Sequence, residues 1–303
     1  MQMMLFQLCH ATSRILATYL FVRDLMNISP QGMRSVFQWN ADLPPRVNAC
    51  VHDIILPYSE RTPDAIAVVA WDGNLTCRDL DSLSLCLARN LLSSGVASET
   101  IVHLLFDKSV WTVVAILGTM RASAAFSLLD ATQPLARLAS LCRAVGAKIM
   151  VASEQHTRLA SSLVSQVITC SPQPLASFIN DSNMVLPISN PNQTLYCLFT
   201  SGSTGEPKGV IIEHASFCSS IPGFTSVIPF DLSTRSFQFA SYTFNVCITD
   251  HLFPLMHGGS VYIPSTDNIQ NNLSAALSSS SATQVELTPS VARILEVEDV
   301  AGL

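Results

Sequence analysis

Between Leu195 and Val210 the chain reads Leu-Tyr-Cys-Leu-Phe-Thr-Ser-Gly-Ser-Thr-Gly-Glu-Pro-Lys-Gly-Val, an apolar segment that gives way to hydroxyls, glycines and one lysine. Such a composition suits an anion. Gly202, Gly205 and Gly209 allow positive φ and close backbone approach, so that several N–H groups can face one charge. Thr200, Ser201, Ser203 and Thr204 add hydroxyl donors, and Lys208 adds the countercharge. Pro207 stiffens the exit, and Val210-Ile211-Ile212 reads as a second buried strand, which sets the loop between two strands instead of at a helix start. The nucleotide loop that ends in Gly-Lys-Ser/Thr before a helix is a different device, because Gly209 and Val210 follow Lys208 here. The chemistry implied is the cradling of phosphate by a strand-to-strand loop.

The elements that must hold this loop come from an apolar chain. Its 303 residues are 49% hydrophobic and 13% charged, enough for a large buried core in one or two domains. A mean hydropathy of +0.37 calls for strands buried on both faces or for surface that meets a partner. The formal charge of −6 and the absence of a basic cluster argue against nucleic acid as a partner. The N-terminal apolar runs are interrupted by His10, Arg14 and Arg23 and lack a basic leader, so the expectation is a cytoplasmic chain with no membrane partner. Nine cysteines without a Cys-x-x-Cys pair read as buried thiols of a reducing compartment. No histidine pair shows ligand spacing beside a Cys or carboxylate set, so no metal site is expected.

Periodicity predicts an α/β fold with a largely parallel sheet. A helix follows Val51, a strand pair covers 66–71 and 75–76 around the turn Asp72-Gly73-Asn74, and a helix runs over 79–92. Strands at 101–106, 125–129 and 148–152 then alternate with helices at 110–120 and 135–145. The Ser, Pro and Asn-rich stretch 171–193 reads as a loop, and Ser278–Ser281 as a helix end. Residues 1 to about 35 have helical tendency closing at Asn27-Ile28-Ser29-Pro30.

The string Phe199–Val210 resembles the signature phosphate loop of adenylate-forming (AMP-binding) enzymes, and its neighbours narrow the resemblance to adenylation domains of fungal nonribosomal peptide synthetases. Trp39-Asn40, Cys50-Val51-His52-Asp53, Pro63-Asp64-Ala65, Ala70-Trp71-Asp72-Gly73 and Lys108–Gly118 match upstream; Phe239–Cys247, Leu255–Pro264 and Leu287–Arg293 match downstream, all in family order. The resemblance spans residues 36 to 303, and implies the large N-terminal domain of that fold, with parallel sheets flanked by helices. Residues 1–35 fall where a linker or the remnant of a preceding condensation domain would lie.

The family joins an acid to ATP as acyl-AMP and passes the acyl group to a carrier protein. By resemblance, Thr200, Ser201, Gly202, Ser203, Thr204, Gly205 and Lys208 would hold the phosphates of ATP with Mg²⁺, and Asn245, Val246, Thr249 and Glu286 would line the acid pocket. Relatives that activate amino acids usually carry Asp where Asn245 stands, so the acid lacks an α-ammonium, as an aryl acid does, or another group such as Glu286 compensates, or the site has decayed. Glu286 also reads as plain surface charge at a strand end. The family's Ala-Gly step is replaced around Ala122-Ser123. The family's adenine, ribose and Mg²⁺ segments and its catalytic lysine would follow Leu303, so the resemblance leads us to expect a truncated domain, inactive alone. A non-catalytic remnant or partner-binding fragment, and an aryl-acid or acyl-CoA ligase, stay open as alternatives.

Overall fold

The computed structural model describes residues 29–41, 44–172, 184–200 and 207–296. The chain divides into two compact units, 1–45 and 46–303. In the first unit the described element is helix α1, Pro30–Trp39. Ser29 caps it by accepting the Gly32 N–H at 3.1 Å, and Pro30 occupies its first turn, where no intrahelical donor is needed. The Ser-Pro step expected to close a helical segment therefore opens one. The remainder of that expectation, over residues 1–28, lies outside the described residues.

The second unit holds the strands and the remaining helices. Short helices α2 (Val51–Ile55) and α3 (Tyr58–Arg61) lead into the hairpin β1 (Ile66–Ala70) and β2 (Gly73–Thr76), then α4 (Cys77–Ser93). Strand and helix alternate through β3 (Ile101–Leu105), α5 (Val110–Arg121), β4 (Ala125–Leu129), α6 (Leu135–Ala144), β5 (Ile149–Ala152), α7 (Thr157–Ser161) and β6 (Gln166–Thr169). The hairpin β7 (Thr194–Thr200) and β8 (Lys208–Glu213) precedes α8 (His214–Thr225), β9 (Arg235–Phe237), α9 (Val246–Met256) and β10 (Ser260–Ile263). Helices α10 (Thr266–Asn271) and α11 (Leu273–Ser280), strand β11 (Gln284–Val285) and helix α12 (Pro289–Ala292) end the described chain. The serine run is thus a helix end, with Ser281 in the left-handed region.

Two sheets result. One runs β11-β9-β10-β1-β2 and the other β6-β5-β3-β4-β7-β8. All neighbours are parallel except the β1–β2 and β7–β8 hairpins. Helix α5 packs on β1 and β2 of one sheet and on β3 and β4 of the other, and every residue on it except Trp111 is buried. Its successive residues Val113, Val114, Ala115 and Ile116, about 100° apart around the axis, are all buried, the pattern of a helix with no solvent face. Gly118 lets α4 close on it: a Cβ there would lie 2.9 Å from the Cβ of Leu87.

Local chemistry moves some boundaries. Helix α4 starts at Cys77, two residues before the predicted Asp79, because Thr76 and Asp79 form a reciprocal capping box. Strand β8 forms where Val210-Ile211-Ile212 predicts it, but as the edge of its sheet; Val210 is 44% and Ile211 57% exposed, so the expectation of a buried strand is corrected. Seven of the eight described cysteines are buried and all eight are free thiols. Burial pushes the Cys50 and Cys142 thiols up to about 11, which keeps them protonated and inert. Among the described residues, no helix is long and apolar enough to cross a membrane.

Two predictions follow from this packing. Ser123, at the step where relatives carry glycine, has φ +56°, a conformation that disfavours a Cβ by about 1–2 kcal/mol. Ser123→Gly, which also removes a 2.7 Å hydroxyl contact with Ser189, should raise the denaturation midpoint by about 1 kcal/mol of stability. The second concerns acid. Burial pulls His103 and His251 down to about 4 and His214 to about 3, and lowers His52. Such groups stay neutral when folded and take up protons on unfolding below their ordinary pKa near 6.5, so their stabilisation is lost as pH falls from about 6.5 to about 4. Asp250, which burial raises to about 7, and Asp72, which burial also raises, act oppositely in this window, but four histidines outweigh two carboxyls. Thermal melts should therefore show Tm falling steeply between those pH values; a flat profile overturns the assignment.

Candidate functional site

Parallel strands direct their carboxyl ends to one edge, and in open α/β sheets that edge is where ligands bind. Here the ends of both sheets border one cavity of about 680 Å³. Phe106, Asp107 and Lys108 enter it from the end of β3, and Asp130 and Thr132 from the end of β4. The other sheet contributes Phe239–Tyr242 after β9, Thr266 and Ile269 after β10, and Glu286–Thr288 after β11. Strand β7 runs parallel to β4 with Tyr196 opposite Phe126, and continuing that register sets Thr200 level with Asp130. Thr200, the last residue of β7, is thus level with a residue that lines the cavity.

The structure describes the two ends of that loop. Thr200 and Lys208 are cross-strand partners, both exposed, and the Thr200 hydroxyl lies 3.4 Å from the Lys208 carbonyl. Ser201, Gly202, Ser203, Thr204 and Gly205 lie outside the described residues.

The four residues expected to line an acid pocket are brought near one another, though not equally. Val246 and Glu286 line the large cavity. Thr249 and Glu286 line an adjoining one of about 270 Å³. Asn245 lines neither; it precedes α9, and its Oδ1 accepts the Tyr196 hydroxyl at 2.7 Å. Burial holds that phenol up at about 12, so it remains a donor. The Asn245 amide nitrogen, exposed, makes no hydrogen bond among the described residues.

A buried polar knot that the sequence reading did not single out backs both cavities. The Lys108 ammonium donates to the Ala240 carbonyl at 2.7 Å, to the Gln238 carbonyl at 3.3 Å and to the Gln238 side-chain oxygen. It also lies 5.3 Å from the centre of the Tyr242 ring. Gln238 passes its amide to Ala240 at 2.7 Å and to Asp250 at 3.4 Å. Burial lowers Lys108 to about 8, against the pull of Cys247, Asp250 and Asp130. Burial raises Asp250 to about 7; Lys108 opposes the shift and Glu286 adds to it. A signal for Asp250 existed: Val246, Thr249 and Asp250 stand at i, i+3 and i+4 on one helix. Lys108 had a weaker one, as a lone cation between a strand and a mostly apolar helix.

Metal chemistry finds no oxygen cage here. Among the described residues, Cys50, His52 and Asp53 are the three metal-type donors close enough to share an ion, a thiol and imidazole set unlike the all-oxygen shell of Mg²⁺. Asp107 is engaged by Gln155 and His156, and Asp130 by Thr132 and Ser241. Magnesium is commonly held by one or two carboxylates together with phosphate and water, and the carboxylates on this cavity are Asp107, Asp130 and Glu286.

Comparison with known proteins agrees with this geometry. The profile of the AMP-binding enzyme family matches residues 58–301. D-lysergyl-peptide-synthetase subunit 2 of Epichloe festucae var. lolii is 40% identical over 283 residues, 91% of this chain and 21% of the relative. Nonribosomal peptide synthetase 6 of Aspergillus fumigatus is 40% identical over 279 residues, 91% of this chain and 22% of the relative. The chain thus spans about a fifth of the length of these relatives. Among solved structures, the nonribosomal peptide synthetase FmoA3 in its AMPPNP-bound form superposes with a TM-score of 0.77 at 21% identity, covering 100% of this chain and 33% of that one. At that identity the likeness establishes the fold. The chain belongs to the AMP-binding enzyme family, as an adenylation-type domain of the kind carried by fungal nonribosomal peptide synthetases.

Proposed function

We propose that this chain supplies the phosphate-binding and acid-binding walls of an adenylation domain, which activates a carboxylic acid with ATP as acyl-AMP for transfer to a carrier protein. The observation that carries this reading is the meeting of strand ends. The ends of β3 and β4, which bear Lys108 and Asp130, and the walls that bear Val246 and Glu286 border one cavity, whose volume falls in the range of small-molecule sites, and the register of β7 on β4 sets Thr200 level with Asp130. On this reading residues 36–303 belong to the adenylation domain, residues 1–35 to the linker before it, and the whole acts in the cytoplasm. FmoA3, with the same fold, has been seen with AMPPNP and with an amino acyl adenylate, α-methyl-L-serine-AMP.

The residues have separable roles. Thr200 and Lys208, with the loop Ser201, Gly202, Ser203, Thr204 and Gly205 between them, neutralise and orient the polyphosphate, so that pyrophosphate can leave without a covalent enzyme intermediate. Val246 packs against the acid. Asn245 spends its oxygen on Tyr196 and keeps N–H donors free, which suits an acceptor on the substrate better than an ammonium. An α-ammonium would also forgo a charge-assisted bond, roughly twice as strong as a neutral one. The acid seated at Asn245 is therefore one without an α-ammonium there, such as an aryl acid, or an amino acid held by charge elsewhere.

Calorimetry should show ATP binding to the chain, weakened at least tenfold by Lys208→Ala; one charged hydrogen bond of about 1.5–3 kcal/mol accounts for that loss. Equal binding by the variant removes Lys208 from the site. In the synthetase that carries this domain, Asn245→Asp should raise kcat/KM for α-amino acids in acid-dependent ATP–pyrophosphate exchange and lower it for aryl acids. An unchanged preference would show that position 245 does not meet the substrate.

A further inference from the structure

The segment that enters α2 carries three side chains for which the adenylation reading has no use: Cys50, His52 and Asp53. One donor atom from each, a sulfur, a ring nitrogen and a carboxylate oxygen, lie within 4.8 Å of one another. None of the three lines either cavity described above. Cys50 is 1% exposed and His52 6%, whereas Asp53 is exposed, so two of the donors are walled off and the third faces solvent. Cys50 makes no side-chain hydrogen bond to the helix it precedes. Both nitrogens of His52 are unspent: Nδ1 is buried with no hydrogen bond among the described residues, and Nε2 lies 3.7 Å from Asp53 Oδ1, beyond hydrogen-bond reach.

The surroundings hold this group in place and leave it uncharged. His214 of α8 accepts the Val51 N–H at Nδ1 over 3.1 Å, and its ring stands at 75° to that of His52 with centres 5.5 Å apart. Cys218, one turn further along α8, donates to the Ala49 carbonyl at 3.4 Å and so remains a thiol beside the set. Burial above all lowers the pKa of His52, Asp53 pulls it back up and Arg121 adds to the lowering, which keeps the ring in the neutral form that binds metal. Arg121 itself is paired with Asp81 at 2.8 Å, which offsets its field.

An imidazole nitrogen buried without a partner is unfavourable, and a metal bond relieves it as a hydrogen bond would. Thiolate, imidazole and carboxylate are the three ligand types of Zn²⁺, which in its open sites takes three protein ligands and a water. Mg²⁺ and Ca²⁺ prefer oxygen alone. We infer that Cys50, His52 and Asp53 form a zinc-binding site, with the fourth tetrahedral position on the solvent side beside Asp53. Bonds of about 2.0–2.3 Å set tetrahedral ligands roughly 3.5 Å apart, a closure that the exposed Asp53 side chain can supply. Binding releases the Cys50 thiol proton to water, so the ion meets a thiolate, a neutral imidazole and a carboxylate. An ion held there clamps the first turn of the second unit, away from the large cavity. A search for paired histidines passes over such a site because its ligands are a Cys-x-His-Asp run with a single histidine.

The test uses the whole chain with Zn²⁺ or Co²⁺ alone. Calorimetry should show one Zn²⁺ bound per chain, and Zn²⁺ should raise Tm where Mg²⁺ at the same concentration does not. Co²⁺ should give the charge-transfer absorption of a sulfur-ligated ion. Asp53→Asn, at an exposed position, should weaken Zn²⁺ binding by about tenfold or more while circular dichroism shows the fold intact. Cys50→Ser should abolish the charge-transfer band; if that variant does not fold, the tenfold loss in Asp53→Asn decides. A rise in Tm that Mg²⁺ reproduces, no binding of Zn²⁺, an affinity unchanged by Asp53→Asn, or a charge-transfer band that survives Cys50→Ser and so belongs to another cysteine overturns the inference.

Discussion

The ammonium of Lys108 ties the end of a strand in one sheet to the segment that follows a strand in the other. It follows β3, and its bonds to Gln238 and Ala240 hold the stretch after β9. The backbone on its own side is held as firmly. The Trp71 indole donates to the Lys108 carbonyl at 2.6 Å, and the Asp72 carboxylate accepts the Val110 N–H at 3.0 Å. The β1–β2 turn, the start of α5 and the segment leading to α9 therefore meet at one half-buried cation. Leaving such oxygens unpaired in a dry interior would cost about 1–3 kcal/mol apiece, so the knot fixes the distance between the two sets of strand ends that make the cavity.

That arrangement explains why so apolar a chain carries charge where it does. Helix α5 is covered on every side, while charged side chains gather beyond the strand ends. The loop residues there, Asp107, Lys108, Asp130, Gln238 and Glu286, are the polar lining of the two cavities or the support behind them. Charge is concentrated at the site because the layers leave it little other room near the core.

Much of this was legible in the residues. The alternation of β-branched runs with amphipathic segments gave the parallel strands and helices within one or two residues, because burial on both faces leaves a continuous apolar signal that any parallel strand shows. The hairpin that frames the hydroxyl-rich loop was legible because apolar and β-branched runs on either side of a turn are a local property. What was not legible depends on partners distant in sequence. The exposure of Val210 and Ile211 follows from β8 lying at a sheet edge, which its own β-branched residues do not reveal. The bond from Tyr196 to Asn245 spans 49 residues, and the Lys108–Gln238 knot spans 130. The Ser29-Pro30 step was misplaced because Ser-Pro marks a helix start as readily as a stop, and only the Gly32 bond to Ser29 decides.

The placement of charge in the site has a logic that composition alone hides. Asn245, exposed at the start of α9, spends its side-chain oxygen on the Tyr196 hydroxyl and brings no charge. The buried carboxyl near this site is Asp250, which lines the smaller cavity, while Glu286 is exposed and lines both. Burial raises Asp250 towards neutrality and Lys108 opposes the shift, so the cation that ties the two sheets together also sets the charge of the carboxyl behind them.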